Sequence, residues 1–105
     1  MRILKYDEML KTDYDEIRNI TSSGHPFTLV TDVSLTAHIQ KILANENDFR
    51  GTARTLIDRW RYIVGSFHGF RLLNLMPIWN RAVMDGYKAR AVKNGSVCEV
   101  IFEKI

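Results

Sequence analysis

Arg50, Arg54 and Arg61 recur within the stretch Glu46 to Arg71, ENDFRGTARTLIDRWRYIVGSFHGFR. On a helix turning about 100° per residue they fall within about 40° of one another. Phe49, Ala53, Leu56, Ile57, Trp60, Ile63, Val64 and Phe67 cover a neighbouring arc about 120° wide. One central helix is therefore expected to carry a core face and, at its edge, a row of guanidinium groups. Guanidinium forks suit bidentate recognition of phosphates and of carboxylates on a protein partner. Arg59 and Arg71 lie nearby, and Arg81, Lys88 and Arg90 fall on the helix expected next. Tyr62, opposite the core arc, could add stacking. These nine residues form the expected binding surface. Local neutralisation competes with that reading, because Arg54 with Asp58 and Arg81 with Asp85 stand at i,i+4.

Other chemistry finds little support. His25, His38 and His68 form no i,i+4 pair and have no HExxH or CxxC context, so no metal site is expected. His38 reads as a boundary residue of its helix. His68, between Phe67 and Gly69, is a turn residue that could do acid–base work. Ser66 stands two residues away, a spacing that does not aim the imidazole at its hydroxyl. No GxSxG, P-loop or GxGxxG pattern occurs, and no cofactor is expected. Cys98 reads as a small buried hydrophobe in an apolar strand. The expectation is a protein without catalytic activity.

A chain of 105 residues with 46% hydrophobic and 26% charged residues can bury one core as a single domain, 1–105. The lone cysteine and the early Lys5, Asp7 and Glu8, which argue against a signal peptide, suit a cytoplasmic location. No apolar run approaches the roughly 18–20 residues that span a bilayer. The net charge of +3 is unevenly distributed: residues 1–49 carry 5 Lys/Arg against 8 Asp/Glu, and residues 50–93 carry 9 against 2. A one-sided basic segment fits a nucleic acid or another polyanion. It equally fits a fold in which the acidic half covers the basic half.

The elements follow from period and punctuation. Residues 2–6 read as a short strand or a lead into a helix. Met9, Leu10, Tyr14, Ile17 and Ile20 place a helix over 7–20, stopped near Gly24. Phe27 to Thr31 is a strand. Asp32 or Ser34 caps a helix whose apolar positions are Leu35, Ile39, Ile42 and Leu43. The central helix runs from about residue 48 to 67, and 70–76 is ambiguous. Pro77 opens a further helix with Ile78, Trp79, Ala82, Val83, Tyr87 and Ala91 on its core face, despite Gly86 inside it. Asn94-Gly95 is a tight-turn signal before a strand over 96–105, with Val97, Glu99, Ile101 and Glu103 on one side and Cys98, Val100, Phe102 and Lys104 on the other. Pairing of the strands near residues 29 and 100 is expected. The C-terminal strand could present an open edge for a homodimer.

The segment TAHIQKILANENDFRGTARTLIDRWRYIV resembles the helical N-terminal domain of transcription elongation factor S-II at Ile39, Leu43, Phe49, Ala53, Leu56 and Trp60. That resemblance implies an all-helical bundle, which the strands expected at both ends do not suit, and no function is carried over from it. The fold expected is α+β, with three to four helices and a small two- or three-stranded sheet in a single compact domain. Its expected role is accessory, regulatory or inhibitory, binding an acidic surface of a protein partner through the Arg-rich face of the central helix. The alternative is DNA or RNA binding through the basic 50–93 segment. Trp79 is expected in the core, and would otherwise anchor an interface.

Overall fold

The computed structural model describes residues 2–6, 11–46 and 75–105. The expected central helix, the ambiguous run up to residue 74 and His68 lie outside the described residues. Within them the chain runs β1 (Arg2–Lys5), α1 (Lys11–Ser23), β2 (Phe27–Asp32), a 3₁₀ turn (Val33–Leu35) and α2 (Thr36–Glu46). It resumes with α3 (Leu75–Met84), β3 (Tyr87–Asn94) and β4 (Val97–Lys104). The result is an α+β domain whose sheet has four strands, one more than the most expected, in the order β1-β2-β4-β3. A four-stranded sheet also departs from the all-helical bundle of the S-II domain.

The pairing of β1 with β2 is parallel, and the connection that such a pair needs is the segment carrying α1. The other two pairings are antiparallel, with Leu29 opposite Val100 as expected. β4 therefore lies inside the sheet, and the open edge expected of it is absent because β2 and β3 flank it. Among the described residues the edges are β1 and β3, and each has a carbonyl occupied by a side chain of this chain. Arg2 Nη1 donates to Ile3 O at 3.2 Å, and Gln40 Nε2 donates to Ala91 O at 2.9 Å. Occupied edge carbonyls, a short edge strand and edge cations all discourage strand addition.

The largest departure from expectation lies at 85–94. The spacing of Tyr87 and Ala91 from Val83 imitates a helical stripe, and the helix was expected to run to about residue 92. Instead α3 ends at Met84, where Gly86 N donates to Val83 O at 3.1 Å. Gly86 adopts φ +86°, a left-handed conformation that costs other residues roughly 1–2 kcal/mol. Beyond it Tyr87, Ala89 and Ala91 are buried while Lys88 and Arg90 are exposed, a period of two. The β3–β4 turn is likewise one residue later than Asn-Gly suggests. Asn94 pairs with Val97, leaving Gly95-Ser96 in the loop, with positive φ on Gly95 alone among the two. That is the type II′ pattern, whose twist matches the strands it joins.

The three helices among the described residues pack on one face of the sheet. Leu4, Phe27, Leu29, Val100, Phe102 and Tyr87 point into the core from the strands. Ile39 of α2 and Leu75 of α3 meet Leu29, Thr31 and Val100 around one small interstice. The stripe expected on α2 is wholly buried, and α1 contributes Ile17 and Thr21 with Tyr14 and Ile20 at the margin. Trp79 is 0% exposed, which removes it as an interface anchor. Cys98 is also buried, and desolvation is the main cause that pushes its thiol pKa up.

The end of α1 is tied to the start of β3. His25 N donates to Ile20 O at 3.2 Å and Gly24 N to Thr21 O at 3.3 Å, the pairing of a Schellman terminus. The Tyr87 hydroxyl donates to His25 O at 2.7 Å and lies 3.2 Å from Ile20 O. Burial, and to a smaller degree the Asp85 carboxylate, raise the Tyr87 pKa above its ordinary 10.0. The folded state thus holds this proton more tightly than the unfolded chain does. The stabilisation is complete below about pH 10 and is lost as pH climbs through the raised folded value. Tyr87→Phe is expected to cost about 1 kcal/mol at neutral pH. In urea titrations at stepped pH, the variant should lose less stability above pH 10 than the parent. Equal alkaline losses would show that this hydroxyl is not held as described.

Candidate functional site

Of the nine residues expected to bind a partner, Arg50, Arg54, Arg59, Arg61, Tyr62 and Arg71 lie outside the described residues. The remaining three do not share one helix face. Arg81 stands on α3, in the helical layer, and its Nε is 3.1 Å from Asp85 Oδ2, the i,i+4 pair expected from spacing. Lys88 and Arg90 stand on β3, not on a helix, because the chain turns at Gly86. Since their neighbours Tyr87, Ala89 and Ala91 face the core, both point to the opposite face of the sheet. The sheet thus separates the three described residues: Arg81 stands in the helical layer and Lys88 with Arg90 on the opposite face.

The register places the residues around Lys88 and Arg90. One row across the outer face reads Ile3, Thr28, Ile101, Arg90. The next reads Lys5, Val30, Glu99, Val92. Lys88 stands directly opposite Glu103. Thr28 at the centre is buried, Val30, Val92 and Ile101 are half-buried, and Ile3 is 55% exposed. The outer face therefore mixes aliphatic side chains with Thr28 and Glu99 at central positions and has Lys5, Lys88 and Arg90 on its edge strands. At its β3 end Ile101, Lys88, Arg90 and Glu103 line a shallow concavity of about 220 Å³.

Charge in this corner is only loosely satisfied. Arg90 Nη2 lies 3.6 Å from Glu103 Oε1, and the two side chains are 65% and 57% exposed. A pair so exposed is worth at most about 1 kcal/mol and is screened by salt. Glu99, by contrast, accepts a hydrogen bond from Asn94 Nδ2. Arg2 and Glu16 make a bidentate pair of 2.5 and 3.1 Å between β1 and α1. Each of these pairs is local to its own part of the chain; none of them sets the acidic first half against the basic segment.

Among the described residues no group of three or more His, Cys, Asp or Glu stands close enough to hold a metal ion. His25 sits at the α1–β2 turn, where its carbonyl serves Tyr87, and His38 is half-buried on α2. No helix among the described residues is long and apolar enough to cross a membrane. The arrangement suits binding through a mixed apolar and cationic surface.

Ile101 and Glu103 were legible as one side of a strand, yet could not be joined to Lys88 and Arg90. The signal that joins them is Asp85-Gly86, a turn dipeptide, followed by the alternation of YKARAV. No protein-family model matches this chain, and neither a curated protein nor a solved structure matches it.

Proposed function

We propose that this protein is a non-catalytic binding domain, accessory, regulatory or inhibitory in role, that engages an acidic surface of a protein partner. The observation that carries the proposal is the corner where exposed Lys88 and Arg90 flank half-buried Ile101 on the outer sheet face. An apolar centre with a charged rim is the anatomy of protein interfaces, in which arginine is enriched. Of the nine residues expected to bind, Lys88 and Arg90 are, among the described residues, the two that stand at this corner.

Nucleic acid remains the alternative, and the same face supports it less. Single strands are held largely by stacking bases on aromatic rings, and the outward positions of the four strands carry aliphatic, polar and charged side chains. Tyr6 and the strand aromatics Phe27, Tyr87 and Phe102 are all buried.

Fluorescence anisotropy of labelled poly-L-glutamate, a random DNA 20-mer and a random RNA 20-mer, at low and physiological salt, separates the two. Poly-L-glutamate should bind saturably, and Lys88→Glu with Arg90→Glu should weaken it about tenfold or more while thermal melting stays unchanged. Oligonucleotide binding with a steep log-linear salt slope, and none to poly-L-glutamate, would overturn the proposal in favour of nucleic acid.

A further inference from the structure

We infer that the partner meets this corner with a carboxylate standing beside a bulky apolar side chain, and that Glu103 marks where the carboxylate goes. The inference rests on the reading above and deepens it by giving the chemistry of the contacting segment.

The sheet lattice sets the distances. Arg90 faces Ile101 across the β3–β4 ladder and Lys88 faces Glu103, so four side chains form a rectangle on the outer face. Facing Cβ atoms are about 4.5–5.5 Å apart, and successive same-face positions along a strand about 7 Å. Glu103 therefore stands directly across from one cation and diagonally from the other, touching Arg90 at 3.6 Å. Its carboxylate is the protein's own occupant of a site built for an anion, held loosely enough to be displaced. One step along β4, half-buried Ile101 contributes the apolar wall of the 220 Å³ concavity. A partner carboxylate that replaces Glu103 beside Arg90 consequently brings its neighbouring side chain over Ile101. Asp or Glu at i with Leu, Met or Phe at i+3 or i+4 of a helix has about this separation.

Charge alone would not distinguish partners here, because Lys88 and Arg90 are met by Glu103 and by Glu99, the two carboxylates diagonal from Arg90 on either side of Ile101. The apolar contact must supply the rest of the selectivity. A purely acidic chain and an acidic amphipathic one should accordingly bind with different strength.

The test uses two labelled peptides of equal charge, EELEELEELEEL and EESEESEESEES, against the full chain in anisotropy titrations. The leucine peptide should bind about tenfold more tightly than the serine peptide. Glu103→Gln, an exposed and conservative change, should tighten the leucine peptide about 3-fold by removing the internal competitor. Ile101→Thr, which keeps a β-branched residue in the strand, should narrow the difference between the peptides. Equal binding of both peptides, or no tightening by Glu103→Gln, would overturn this inference. If instead Lys88→Glu with Arg90→Glu left binding of both peptides unchanged, the reading beneath it would fall as well.

Discussion

Trp79→Ala is expected to lower the stability of the domain by about 3–5 kcal/mol, as large aromatic truncations in cores do. Trp79 is fully buried, and its neighbours on the same helix, Ile78, Ala82 and Val83, are buried with it. Those neighbours stand on a helix braced against the sheet, so the space left behind can collapse only in part. Native domains are stable by only about 5–15 kcal/mol, and the variant should spend a measurable fraction of time unfolded. Urea unfolding would show a large fall in midpoint with an unchanged slope. Trp79→Phe, which refills part of the volume, should recover about half of the loss. A loss below about 1 kcal/mol for the alanine variant would place Trp79 outside the core described here.

Phe27→Ala is expected to cost a comparable 3–5 kcal/mol by a different route. Phe27 opens β2, and its ring stacks on Phe102 of β4 with centroids 4.6 Å apart and planes 3° from parallel. Its edge-to-face partner is Tyr87 at 5.9 Å and 60°, the first residue of β3. One ring therefore couples the ends of three strands, close to where Tyr87 also holds the terminus of α1. A double-mutant cycle of Phe27→Leu and Phe102→Leu should show a coupling of about 0.5–1.5 kcal/mol beyond the loss of buried area. Additive losses would mean that the two rings are merely adjacent.

The fold was most readable where one period dominated and punctuation agreed with it. FTLVT, preceded by His25-Pro26, is β2 with Asp32 as one further residue, and Asp32 accepts from Ser34 N at 2.9 Å at the start of the following turn. The stripe Leu35, Ile39, Ile42 and Leu43 is wholly buried, with Leu35 in the 3₁₀ turn and the other three on α2. The pairing of β2 with β4 was expected without a residue signal for it, because the two strands lie far apart in sequence, and the register shows it. The failure at Tyr87 has a specific cause. Alanine at 89 and 91 carries high helix propensity, and Tyr87 and Ala91 are four apart, so the segment continues the stripe of α3. Tertiary pairing with β4 and the left-handed Gly86 decide the matter, and neither is a property of the segment alone.

The same turn at Gly86 decides the surroundings of Lys88 and Arg90. Placed on a helix, Lys88 and Arg90 join Arg81 as further basic charge; placed on β3, they leave Arg81 with Asp85 and gain Ile101 and Glu103 as neighbours. On β3 the two cations stand beside half-buried Ile101, so recognition at this corner would depend on shape as well as sign.

Mapping the contact residue by residue is the most direct test of the outer sheet face as the binding surface. Backbone amide shifts in a ¹H–¹⁵N correlation spectrum would be followed as EELEELEELEEL is added to the labelled protein. The account predicts saturable shifts concentrated at Lys88, Arg90, Ile101 and Glu103, with Arg81 and Glu16 in the helical layer unmoved. Shifts concentrated on α1, α2 or α3, with those four residues silent, would contradict it.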